Sequence, residues 1–194
     1  MKNVLFVDCC IRRGDSRTKQ LADAFLSALS DGFSVTHLDL MAEGLSYFKD
    51  SYFDQREALL AAGKRDHPRF RYAHQFAEAD EIVIAAPFWD LSFPALLKVY
   101  IEQVSVDGIT FGSTADGLRG LCKARHLVYL TTRGGFYTGD AMEMGSRYLD
   151  ALHNFFGIGS YACIAADGMD VAGFDGAGSL AAACESARAL ARSF

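Results

Sequence analysis

The 194 residues are 51% hydrophobic and 22% charged, which fits one globular domain with a sizeable core and excludes a disordered chain. The 19 basic and 24 acidic residues leave a net charge of −5 with no basic run to track a phosphate backbone, so no nucleic-acid partner is expected. No apolar run approaches the ~18 residues that cross a bilayer, so no membrane association is expected either.

Residues 3–7 read as a short buried strand that begins too early to leave room for a signal peptide. A polar loop follows, then a helix over 16–29 with an apolar stripe through Leu21, Phe25 and Leu29. Residues 33–40 alternate and predict a second strand nearer the sheet edge. The stretch 41–65 is irregular, with Tyr47, Phe48, Tyr52 and Phe53 among charges and a short helix around 54–62. A helix over 68–79 leads into the run that starts at Ile82, whose unbroken apolar character predicts a strand buried on both faces. Pro87 ends it in an aromatic loop, and Pro94 restarts the chain as a helix to about 104. A loop over 107–123 reaches a fourth strand at 126–132. A helix near 141–156, a strand near 158–165 and an alanine-rich helix near 179–192 complete the pattern. Five strand–helix alternations predict a doubly wound α/β sandwich, one domain over 1–194. A strand order of 2-1-3-4-5 would put the switch point between the first and third strands.

Three loops would then meet at one sheet edge. The first offers the Ser16 and Thr18 hydroxyls, Arg12, Arg13, Arg17 and helix amides, which suit a phosphate. Ser16 as a plain helix cap, with solvated arginines, reads equally well. Neither GxGxxG nor GxxxxGK[ST] is present. The second, 87–93, combines aromatics with Asp90 and Ser92 and reads as a site in preference to core packing. In the third, Gly134 and Gly135 permit close backbone approach, or simply make a turn. The pair Cys9-Cys10 raises a thiolate phosphatase, but the C-x5-R spacing puts Asp15 or Ser16 where arginine is required. The five cysteines show no CxxC spacing and are expected reduced, in a cytoplasm. No metal-ligand spacing is seen, so no metal is expected.

Two segments carry a resemblance: AAPFWDLSFPALLKVYIEQV followed by DGITF, and TTRGG. They are similar to AAPMYNFNIPxxLKxxxDxVxxxGxTF and TSRGG of the flavodoxin-like FMN-dependent NAD(P)H oxidoreductases, the azoreductase and quinone reductase family. The likeness runs from the first strand to the end and is weakest over 41–75. It implies a flavodoxin-like three-layer sandwich with a five-stranded parallel sheet. FMN would take hydride at N5 from NADH or NADPH and pass two electrons to a quinone or azo acceptor in a ping-pong cycle. No protein side chain would act as the catalytic acid or base.

By the same resemblance Cys9, Ser16, Arg17 and Thr18 would hold the FMN phosphate. Pro87, Phe88, Trp89, Asp90 and Leu91 would line the isoalloxazine ring, and Thr132, Arg133, Gly134 and Gly135 its pyrimidine end. Replacing Ser16 and Thr18 by alanine should then weaken FMN retention and leave the fold intact. The family is homodimeric, so Tyr52, Phe53 or Phe155 could cover the flavin of the partner, with core packing favoured for Phe155. Departures from the family pattern are Cys9 for serine, Asp90 for asparagine and Ser113 for a frequent tyrosine. An ionised Asp90 would disfavour the anionic hydroquinone. A flavodoxin-type electron carrier without nicotinamide turnover is the alternative reading, and a binding protein that has lost its flavin a third.

Overall fold

The chain, seen in a computed structural model that describes residues 1–115 and 117–194, is built outward from the run at Ile82. That run is β3 (Glu81–Ala85), with all five residues buried. On one side it pairs with β1 (Lys2–Asp8), and β1 pairs with β2 (Phe33–Asp39). On the other side lies β6 (His126–Thr132), then β7 (Ser160–Ala166) at the edge. All four ladders are parallel, and the order β2-β1-β3-β6-β7 is 2-1-3-4-5 by position in the sheet. This is the predicted doubly wound arrangement.

Alternation along the strands divides the core between two faces. Val4, Phe6, Val83, Ala85, Val128 and Leu130 pack beneath α1 (Arg17–Leu26) and α6 (Gly176–Ala191). Ala183, Ala187 and Ala191 repeat every four residues on the buried stripe of α6, and their small side chains allow a close approach to α1. Leu5, Val7, Ile82, Ile84, Leu127 and Tyr129 pack on the opposite face. There they meet α3 (Arg71–Glu78), α4 (Ala95–Val104) and α5 (Gly145–Phe156). Burial of each large apolar side chain contributes roughly 1.5–3 kcal/mol. Glu81, fully buried at the start of β3, receives Arg125 Nε and Nη2 at 3.0 and 2.6 Å and lies 2.7 Å from His126 Nδ1. These contacts offset its desolvation.

Several element bounds depart from the sequence reading. α1 stops at Leu26, because the Ser27 hydroxyl donates back to Ala24 and Ala28 N–H reaches only to Phe25. α2 (Asp50–Ala61) starts four residues early, from an Asp50 at φ 45°. α5 starts four residues late, since Asp140 and Glu143 accept the amides of Met142 and Ser146 and hold 140–144 as turns. The stretch 107–123 is more than a loop. It contains β4 (Phe111–Thr114) and β5 (Gly117–Gly120), an antiparallel hairpin outside the main sheet, with residue 116 between them outside the described residues. Strands of four residues containing Gly112, Gly117 and Gly120 carry no alternation to read. The hairpin rests on the end of α5, where a Cβ at Gly120 would lie 2.0 Å from Gly157 N.

Candidate active site

The carboxyl ends of β1, β3 and β6 open onto one cleft, as the switch-point geometry requires. After β1, the Asp8 carboxylate accepts Cys10 N–H at 2.9 Å and turns the chain outward. A short turn, Arg13–Asp15, brings Ser16 to the start of α1, where its hydroxyl accepts Lys19 N–H at 3.2 Å. Gln20 N–H goes to the Ser16 carbonyl, which leaves the first-turn amides of Arg17 and Thr18 for a ligand. The Thr18 hydroxyl is fully buried and bonded to that of Thr132 at 2.7 Å, tying the first loop to the end of β6.

After β3, Phe88 N–H donates to Thr132 O at 3.1 Å, and Trp89 and Ser92 exchange backbone bonds at 3.1 and 2.8 Å. Asp90 and Leu91 are the two central residues of this tight hairpin, with φ 48° and 65°. Aspartate tolerates the left-handed region, whereas a leucine there is strained by about 1–2 kcal/mol. The turn holds Trp89 out at 44% exposure beside the cleft. The hairpin is fixed to α5 by Met144 N–H donating to Leu91 O at 2.9 Å.

After β6, the backbone of 133–135 pairs with a segment that follows β7. Met169 N–H donates to Arg133 O, Asp170 N–H to Gly134 O and Gly168 N–H to Gly135 O. A Cβ at Gly134 would stand 2.8 Å from Asp170 Oδ2, the far end of an exposed side chain, so a larger residue here would push the Asp170 carboxylate aside. Arg133 is 3% exposed, between Asp167 at 3.3 Å and Glu143 at 3.4 Å. Burial pushes the Asp167 carboxyl up, but the amides of Thr138 and Tyr137, the Thr138 hydroxyl and Arg133 outweigh it and hold it below the usual aspartate value.

Of the residues named from sequence, Ser16, Arg17, Thr18, Pro87, Phe88, Trp89, Thr132, Arg133 and Gly134 line this cleft. Cys9, Asp90, Leu91 and Gly135 do not. Cys9 is fully buried among the core residues below the sheet, and its amide is used by Ala85 O at 2.8 Å, so neither group is offered to a phosphate. Burial, and then the charge of Asp8, push its thiol up to about 12. Ser113 lies in β4 with its amide and hydroxyl on the Asp107 carboxylate, away from the cleft lining. Phe155 packs tilted against Phe111 and edge-on against Phe156, while Tyr52 and Phe53 sit on α2 around Phe48.

The sequence reading missed Met169 and Asp170, and it left Ile11 and Asp15 unused. The fourth loop was legible in principle, because it too follows a parallel strand, and Gly168 at φ 78° marks its turn. Arg17 Nη1 donates to Met169 O at 3.0 Å and Asp170 Oδ1 at 2.9 Å, linking the first and fourth loops.

An amide-lined helix start flanked by Arg12 and Arg17, an aromatic strip and a glycine floor together define a cleft for a phosphorylated, flat ligand. The chain belongs to the flavodoxin-like fold family, which matches residues 2–191, and within it to the FMN-dependent NADH:quinone oxidoreductases. It is 39% identical to FMN-dependent NADH:quinone oxidoreductase 2 of Clostridium acetobutylicum over 201 aligned positions, covering 100% of both chains. It is 37% identical to the FMN-dependent NADH:quinone oxidoreductase of Clostridium perfringens over 198, again with full coverage of both. A crystal structure of azoreductase from Bacillus anthracis superposes with a TM-score of 0.89 at 28% identity, over 100% of each chain.

Proposed function

We propose that the protein is an FMN-dependent oxidoreductase that carries electrons from NADH to a quinone or azo acceptor. The observation that carries this reading is the cleft itself: two unclaimed amides at the start of α1 beside Arg12 and Arg17, continuous with the strip Pro87-Phe88-Trp89, in a chain of this family. Bound FMN would supply two-electron transfer between nicotinamide and acceptor at its N5 atom.

The chain's own residues bind and orient. The α1 amides and Arg17 would receive the phosphate, with Ser16 shaping the turn that presents them. Pro87, Phe88 and Trp89 would support the ring, and Thr132, Arg133 and Gly134 its polar edge. Phe88 is itself braced by Tyr137, ring centroids 4.5 Å apart. The names of the relatives favour this reading over a flavodoxin-type electron carrier, and they favour NADH as donor.

The cleft encloses about 100 Å³, less than the roughly 300–1,000 Å³ of pockets that bury a small ligand on their own. Together with the exposed Trp89, Leu91, Met142 and Met144, this supports a homodimer in which a second protomer covers the ring. We read the chain as one domain, supported by the family match over 2–191. A cytoplasmic location is supported by five free cysteines. No described helix is long and apolar enough to cross a membrane.

The test is a visible spectrum of the purified protein with FMN, followed by NADH and then benzoquinone in one cuvette. Flavin bands that bleach and then return are expected. Bound flavin that NADH does not bleach would restore the electron carrier, and a protein that takes up no flavin would refute the assignment of the cleft.

A further inference from the structure

We propose that Glu143 is a positioning residue that sets how readily the bound flavin is reduced, acting through Arg133, the buried cation that lines the cleft. The inference rests on the FMN reading above and goes beyond it, since Glu143 does not touch the cleft.

Arg133 is the wall between two spaces. One side faces the cleft; the other faces a cavity of about 540 Å³ that Glu143, Ser146 and Cys163 also line. Among the described residues Arg133 is the one buried cation, and Glu143 is 4% exposed. Arg133 Nη2 lies 3.4 Å from Glu143 Oε1, and Nη1 donates to Asp167 Oδ1 at 3.3 Å and Thr138 Oγ1 at 3.1 Å. The guanidinium also lies 5.7 Å from the centre of the Phe88 ring in the strip. Its Nε is buried with no partner, so the cation is held by its two terminal nitrogens alone. One guanidinium between two carboxylates leaves the group with an excess negative charge. Buried charges are screened weakly by salt and water, so that excess opposes the gain of negative charge when a flavin in the cleft is reduced.

The two carboxylates are not equivalent. Asp167 also fixes the turn beneath Phe88 by accepting Tyr137 and Thr138 N–H at 2.9 and 2.7 Å. Glu143 accepts Ser146 N–H at 3.0 Å through Oε1 and the Ser146 hydroxyl through Oε2. A glutamine oxygen in the Oε1 place keeps the first bond and the side toward Arg133, and its amide can donate to the hydroxyl oxygen instead. Glu143→Gln therefore removes the charge and keeps the shape.

The experiment is the midpoint potential of bound FMN in the wild type, Glu143→Gln, Arg133→Gln and the double variant, each equilibrated without oxygen against a dye of known potential. Glu143→Gln should shift binding toward reduced flavin by about tenfold, an upward change of about 30 mV for a two-electron couple. Arg133→Gln should shift it the opposite way, and the double variant, which restores the original net charge, should return near the wild type. A purely structural role would give neither opposite signs nor recovery. If Arg133→Gln does not fold, the direction of Glu143→Gln alone decides. An unchanged potential in Glu143→Gln, or the same direction in both single variants, overturns the inference and leaves the FMN assignment standing. A wild type that binds no FMN overturns both.

Discussion

Thr18 carries two demands at one position. Its amide lies in the first turn of α1, while its hydroxyl is buried against that of Thr132. Thr18→Val keeps the shape and strands the Thr132 hydroxyl, which should destabilise the fold by about 1–3 kcal/mol. Urea midpoints of the apoprotein measure this directly, and an unchanged midpoint would contradict the bond. The same contact means that replacing both Ser16 and Thr18 by alanine should lower fold stability as well as FMN retention. Loss of the Ser16 cap alone costs about 1 kcal/mol. Cys9 is the other residue whose role changes. Alternation continued one position beyond β1 puts it on the same face as Leu5 and Val7, so its burial was legible from period two alone. Its folded thiol keeps a proton to about 12, whereas an unfolded one loses it near 9.0. Stability is therefore complete below pH 9 and falls as pH rises through that window. Denaturation at pH 8 and pH 10 should show the loss, and Cys9→Ala should show a smaller one. Equal slopes would refute the assignment.

Among the elements, those with a buried face were readable and those without were not. The strands β1, β3 and β6 announce themselves because both faces are covered and their central residues form unbroken apolar runs. The hairpin β4–β5 did not, because its fit comes from glycine backbone. Gly120→Ala should cost about 1–3 kcal/mol, since a Cβ there would lie 2.1 Å from the carbonyl carbon of Phe156. Gly112→Ala is the control, with Leu121 Cδ1 at an ordinary 3.5 Å. Comparable thermal midpoints for the two would show that the hairpin does not rest on α5. The fourth loop of the cleft was missed for a related reason. Met169 and Asp170 reach it through backbone pairing with 133–135, and backbone pairing leaves little trace in side-chain pattern.

Across the whole molecule, the ligand-facing residues come from segments far apart in the chain and near one another only because four strands end at the same edge. Arg17 and Asp170 are 153 positions apart, and Thr18 bonds to Thr132 across 114. This distribution has a consequence for biosynthesis. A nascent chain still on the ribosome, with β7 and the segment after it not yet released, owns the helix start and the aromatic strip but not the wall that joins them. The cleft is thus complete only once Met169 and Asp170 have emerged, with α6 (Gly176–Ala191) still to follow and close the sheet face behind it.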